Sequence, residues 1–177
     1  WYYSELYRPL YENNKSPSDI FWNKLWKGEL LEKNLNKAKL DRKFSLVLDI
    51  GCGGGWTLKK KHDSGIKCVG YDFSEDHVNH GVELGLDLRL GGTDEAIKDQ
   101  NRGDLLIYSH VLEHVKDPVV ELRKLGNLLE KNGILYIETP DIGRIGKRLY
   151  GDSLSYWQRA HLWEFQLEHV EYFAKKA

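Results

Sequence analysis

The chain contains no methionine among its 177 residues, not even at position 1, so we expect a processed chain or a piece of a longer protein. Cysteine is almost as scarce. Cys52 and Cys68 stand alone, with no spacing that suits a zinc ribbon, a redox pair or a disulfide framework, and both are expected to be reduced. No run of about 20 apolar residues is available to cross a bilayer, and no leader-like segment is present. A cytoplasmic protein without a membrane partner is the resulting expectation. Excess charge of one sign is missing too: 26 Lys and Arg face 27 Asp and Glu, for a net charge of −1. Without a broad basic field, nucleic acid is not expected as the main substrate. Lys24, Lys27, Lys33, Lys37, Lys39, Arg42 and Lys43 do cluster, but Glu29, Glu32 and Asp41 are interleaved, the pattern of a solvated helix face. There are no internal repeats and no low-complexity tracts. The length suits one α/β unit, since a domain of about 150 residues already buries about 70% of its unfolded surface.

What is present begins at residue 46. Leu46-Val-Leu-Asp49-Ile50 is an aliphatic run of the kind buried on both faces of a sheet, and it breaks into Gly51-Cys52-Gly53-Gly54-Gly55. Glycines at such an exit let backbone approach a ligand where a Cβ would collide. A pyrophosphate-binding fingerprint would place glycine or alanine at the sixth position counted from Gly51, and Trp56 stands there instead. Ile66 to Tyr71 reads as a second strand closed by Asp72, at the roughly 20-residue distance where nucleotide-binding folds hold a ribose carboxylate. Leu86 to Leu90 reads as a third strand, followed by Gly91-Gly92-Thr93-Asp94. Asp104 to Tyr108 gives a fourth, then Ser109-His110-Val111-Leu112-Glu113-His114-Val115, with Asp117-Pro118 opening a helix. Helical periodicity runs from Leu122 to Leu129, Asn132-Gly133 is expected to stop it, and Ile134 to Glu138 reads as a fifth strand.

The Asp49-x-Gly51-x-Gly53-x-Gly55 pattern resembles motif I of the class I S-adenosylmethionine-dependent methyltransferases. The Ser109 to Val115 string is similar to the segment after the fourth strand in the small-molecule branch of that family. The resemblance covers roughly residues 44 to 177. It implies an α/β Rossmann-like fold, doubly wound around a mostly parallel sheet of order 3-2-1-4-5, with residues 1 to 43 forming a helical N-terminal segment. The family's usual C-terminal antiparallel hairpin is missing from a chain that ends in a helix-like Glu168 to Lys176 run. The fifth strand should then be covered by further chain, a homodimer partner or another protein.

The resemblance also assigns roles. S-adenosylmethionine would be the cofactor and S-adenosylhomocysteine its product. Gly51 and Gly53, with Cys52, Gly55 and Trp56 around them, would approach the methionyl portion, and Asp49 would orient the loop or the amino group. Asp72 would accept the ribose hydroxyls, with Phe73 beside it. Thr93 and Asp94 would edge the adenine, although the family's usual Gly-Asp is absent there, and Ser109 and His110 would face the methyl end. His110 and His161 are the expected catalytic residues, because histidine can take a hydroxyl proton near neutral pH. His161-Leu-Trp-Glu-Phe165 resembles a His-x-x-x-Phe element before the last helix of related enzymes. Arg144, Tyr150, Tyr156 and Trp157 are candidate acceptor contacts.

We expect methyl transfer to a small molecule, with oxygen preferred as the acceptor atom. The alternative is a non-catalytic module of the same fold that binds the cofactor or serves as a scaffold. A nicotinamide oxidoreductase fits less well. His110-x-x-Glu113-His114 also matches a zinc-peptidase signature, but that motif belongs inside a helix and here it leaves a strand. Related quinone methyltransferases have Glu-x-x-Glu-His at this place for a divalent cation; with His110 replacing the first Glu, no metal is assigned. The N-terminal segment is dense in aromatics, namely Trp1, Tyr2, Tyr3, Tyr7, Tyr11, Phe21, Trp22 and Trp26. Phe21, Trp22, Leu25 and Trp26 are expected to pack the sheet's outer face at helical spacing, or to form a lid over the site.

Overall fold

The aliphatic runs pair as a parallel sheet in the computed structural model, which describes residues 15–40, 42–145 and 160–177. The strands are β1 (Leu46–Ile50), β2 (Lys67–Asp72), β3 (Asp87–Leu90), β4 (Gly103–Ser109) and β5 (Leu129–Glu138), in the order β3-β2-β1-β4-β5. Every pairing is parallel. The helices are α1 (Pro17–Lys24), α2 (Trp26–Lys37), α3 (Lys59–Asp63), α4 (Glu75–Glu83), α5 (Thr93–Lys98), α6 (Pro118–Asn127), α7 (Ile142–Ile145) and α8 (Leu167–Lys176).

Strand alternation divides the core in two. Val47, Leu105 and Ile107 face one layer with Phe21, Leu31, Leu35 and Val78 of α1, α2 and α4. Leu48, Leu106 and Tyr108 face the other with Ala96, Leu122 and Leu125 of α5 and α6. Central strands covered on both sides carry no polar face, which is why β1 and β4 read as continuous apolar runs. Helix starts are locally encoded. Ser16 accepts from the Asp19 N–H ahead of Pro17, and Asp117 accepts from Val119 and Val120 ahead of Pro118.

Two expectations need correction. Asn132-Gly133 does not stop a helix: α6 already ends at Asn127, and β5 starts at Leu129. Asn132 sits at φ +65° within a strand whose register against β4 shifts between Gly103 and Leu105. A turn-type dipeptide is here absorbed as a strand irregularity, where the extra residue leaves the ladder. Second, Trp22 and Trp26 are 57% and 55% exposed, so only Phe21 and, in part, Leu25 of the expected aromatic stripe reach the core. As expected, His110 to His114 leaves a strand and does not sit within a helix: His110 has φ +57° and a single 3₁₀ turn spans Leu112–His114, which goes against the peptidase reading. Trp1, Tyr2, Tyr3, Tyr7, Tyr11, Tyr150, Tyr156, Trp157 and the Arg144 side chain lie outside the described residues.

The segment from Ala160 to Gln166 lies over the loop after β4. Leu162 and Trp163 both donate backbone N–H to the Glu113 carbonyl, at 2.8 and 3.2 Å. The Trp163 indole donates to the Val115 carbonyl at 2.8 Å, and Phe165 is buried against α6 and α8. Among the described residues no strand pairs with the outer edge of β5.

Candidate active site

A parallel sheet opens a crevice at its carboxyl ends where strand order reverses, here between β1 and β4. A cavity of about 600 Å³ occupies that place. Asp49, Gly51, Gly53 and Trp56 line it from the β1 exit, and Asp72 and Phe73 from the β2 exit. Thr93 and Asp94 come from the start of α5, Ser109 and His110 from the β4 exit, and His161 from the overlying segment. Of the residues expected around the cofactor, Cys52 and Gly55 do not line the cavity. Cys52 is buried beside Gly70, and a Cβ on Gly55 would strike Leu86.

The protein itself gives a reason for the loop glycines. Gly51 and Gly53 hold φ +76° and +55°; a Cβ would stand 2.2 Å from Val111 Cγ2 at the first and 2.0 Å from the Trp56 ring at the second. The close approach is between loop and protein, and it leaves the loop backbone facing the cavity. Asp72 fastens the same loop: Oδ2 accepts from Gly53 N–H at 2.7 Å and Oδ1 from Ser74 N–H at 2.8 Å. A carboxylate offers about four acceptor directions, so each oxygen keeps one for a ligand. Asp49 is almost fully buried, and burial, followed by the negative charge of Asp72, pushes its pKa up to about 8. It is therefore largely protonated at neutral pH, with Lys27 pulling the other way.

His110 is held between two acids. Its Nε2 is 3.3 Å from Glu138 Oε1 and its Nδ1 is 3.6 Å from Glu113 Oε1, while its backbone N–H donates to the Glu138 carbonyl at 2.7 Å. Burial alone would lower the imidazole pKa, but the Glu113 and Glu138 carboxylates reverse this and raise it. The His110 N–H, against the cost of burial, holds Glu138 down to about 2. The charged trio is favoured above the lowered carboxylate values and is lost as pH climbs through the raised histidine value. Glu138→Gln should move the His110 pKa back down, as read by its ring-proton NMR titration; an unchanged value would refute the pairing.

The neighbouring histidines differ. The Nδ1 of His114 is 3.0 Å from the Ala160 carbonyl, which can only accept, so that nitrogen carries the proton and Nε2 keeps its lone pair in the neutral ring. The His161 ring packs against it at 4.9 Å between centroids. One ligand atom each of Glu113, His114 and His161 lie within 4.8 Å of one another, and Glu113 Oε1 is buried without a hydrogen bond. Among the described residues these three have ligand atoms close enough together to hold a cation.

Sequence reasoning missed several cavity residues. Lys24 and Lys27 reach it from the N-terminal helices, Lys24 Nζ lying 4.6 Å over the Trp56 ring. Tyr108 and Glu121 also line it. For Glu121 the only signal was its place in the first turn of the helix after β4.

The ubiquinone biosynthesis O-methyltransferases of Pelagibacter ubique and Caulobacter vibrioides are 32% and 34% identical over 99 and 100 residues. Each match covers 52% of this chain and 41% and 40% of those proteins, so the match spans about two fifths of their length. Among solved structures, the plantazolicin methyltransferase BamL with a triazolic desmethylPZN analogue and SAH superposes with a TM-score of 0.70 at 17% identity, covering 89% of this chain and 64% of that one. A SAM-dependent methyltransferase from Archaeoglobus fulgidus gives 0.65 at 23% identity, covering 84% and 67%. Both share the fold. The model of the methyltransferase domain family matches residues 23–177, nearly the whole chain, and the chain belongs to that family.

Proposed function

We propose that the chain is an S-adenosylmethionine-dependent methyltransferase domain that methylates an oxygen of a small-molecule acceptor. The observation that carries this is the convergence of the Gly51–Gly53 loop, Asp72 and His161 on one cavity at the strand-order switch. Its volume lies within the usual range for small-ligand sites, about 300–1,000 Å³. The cofactor supplies a methyl group already activated on a sulfonium, so the chain's task is alignment, exclusion of water and removal of the acceptor proton.

In this reading the two free acceptor directions of Asp72 take the ribose diol, and Phe73 offers an apolar ring to the base. Gly51 and Gly53 present backbone to the methionyl portion, and Asp49 takes its ammonium. His161 removes the acceptor's hydroxyl proton, His114 holds it in place by ring packing, and the His110 imidazolium fixes the end of the β4 loop. Lys24 and Lys27 make the N-terminal helices part of the cavity wall, which supports a lid role for residues 1–43. The acceptor atom is supported by the similarity to the two ubiquinone biosynthesis O-methyltransferases above. No helix among the described residues is long and apolar enough to cross a membrane, in keeping with a cytoplasmic site of action. Among the described residues no strand pairs with the outer edge of β5, which supports a further stretch of chain or a second copy lying against it.

Calorimetry tests this reading: micromolar binding of S-adenosylhomocysteine with no binding of NAD is expected. Labelled donor with fractionated cell extract should then place the label in a small molecule; label in protein or RNA would contradict the acceptor class. A protein that binds the cofactor but methylates no extract component would be the scaffold alternative. Affinity should also depend on pH. A ligand ammonium pairs with ionised Asp49, so binding should strengthen as pH rises from 6 toward 8, by up to about tenfold per pH unit. Asp49→Asn should flatten that dependence, and a slope unchanged in the variant would remove Asp49 from the contact.

A further inference from the structure

At the end of the cavity assigned above to the adenine, the acids that follow β3 line the wall with their carboxylates already engaged. Asp94 turns away: its side chain is 62% exposed and bound to Lys124 Nζ at 2.7 Å. Glu95 folds back on its own helix, with Oε2 accepting from Gly92 N–H at 2.9 Å and Oε1 from Lys98 at 3.3 Å. The carboxylate that faces this end comes from another element. Glu121, in the first turn of α6, lines the cavity, and its Oε1 accepts from both the Thr93 hydroxyl and, at 3.0 Å, the Tyr108 hydroxyl. Both donors spend themselves on that single oxygen. Oε2 takes no hydrogen bond among the described residues.

We propose that Glu121 recognises the 6-amino edge of the cofactor's adenine, with Thr93 and Tyr108 as positioning residues that fix its carboxylate. The inference rests on the adenosyl reading above and deepens it. An ionised carboxylate is acceptor-only, and an exocyclic amino group is a donor. Two hydroxyls on one oxygen set the orientation of the group before ligand arrives, so the second oxygen is pre-organised. Phe73 supplies the complementary flat surface: its ring lies so close to Gly92 that a Cβ there would stand 2.8 Å from Cζ. Ring stacking holds the base without regard to its substituents, and Glu121 reads which purine it is.

The test compares binding of S-adenosylhomocysteine with S-inosylhomocysteine, whose 6-oxo group is an acceptor. Wild-type protein should prefer the adenosyl compound by at least about 30-fold, because the 6-oxo group would place an acceptor against the carboxylate and leave both unpaired. In Glu121→Gln, whose amide can donate, the preference should collapse to within about threefold. Tyr108→Phe should reduce it partly. Equal binding of the two compounds by wild type overturns the proposal without any variant. So does a full preference retained in Glu121→Gln, or a collapse that appears in Asp94→Asn instead. Failure of wild type to bind either compound would strike the adenosyl reading itself, and this inference with it.

Discussion

Asp72→Ala should weaken S-adenosylhomocysteine binding by two to four orders of magnitude. The carboxylate holds Gly53 and Ser74 by their backbone N–H groups, and in the proposed reading its remaining acceptor directions take the ribose diol. A hydrogen bond to a charged group contributes about 1.5–3 kcal/mol, so the loss of two costs roughly 3–6 kcal/mol, about 10² to 10⁴ in Kd. The fold should survive. Burial raises the Asp72 pKa even though the Ser74 and Gly53 N–H groups pull it down, so removing the acid also removes a buried charge. Asp72→Asn keeps the shape and one acceptor oxygen but sets an NH2 donor against one of the two backbone N–H groups, and it should fall between. Calorimetry beside a thermal melt separates the two effects, and wild-type affinity in the alanine variant would remove Asp72 from the cradle.

His161→Ala should lower turnover by about 10² to 10⁴ while leaving cofactor affinity within twofold of wild type. The reason lies in how the three histidines are held. His110 stands between Glu113 and Glu138, whose carboxylates favour its protonated form and make it the poorer proton acceptor of the pair expected. His114 spends Nδ1 on the Ala160 carbonyl and supports the His161 ring by edge-to-face packing. His161 lines the cavity on a segment tied to the β4 loop through the Glu113 carbonyl and anchored in the core by Phe165. Single-turnover rates with a fixed acceptor give the effect directly. Full turnover in the variant would take His161 out of the chemistry.

The strands could be read from the sequence because burial on both faces leaves an unmistakable mark. Val47, Leu48, Leu105 and Ile107 are inaccessible to solvent, and no polar residue at those positions would satisfy both layers. Asp72 and the glycine loop were equally legible, since they lie at strand exits whose spacing is set by one β-α-β unit. What escaped were features made by distance in sequence. The His110 pairing with Glu138 spans 28 residues, Glu121 reaches Thr93 across another 28, and Lys27 arrives from a segment that precedes the sheet. Nothing local distinguishes Glu121 from an ordinary first-turn acid that favours the helix N-terminus. Asn132 misled for a related reason: its left-handed backbone suits a helix stop and a strand irregularity equally, and only the register of β5 on β4 decides between them. Trp22 and Trp26 have the spacing of a buried stripe, but Phe21 and Leu31 already fill the face that α1 and α2 turn to the sheet.

A crystal structure with S-adenosylhomocysteine is the most direct test of the central claim. The ribose hydroxyls should lie within hydrogen-bond distance of Asp72, with the sulfur between the Gly51–Gly53 loop and His161. Finding the compound outside this crevice, or finding both Asp72 oxygens satisfied by backbone alone with the ligand elsewhere, would contradict the account.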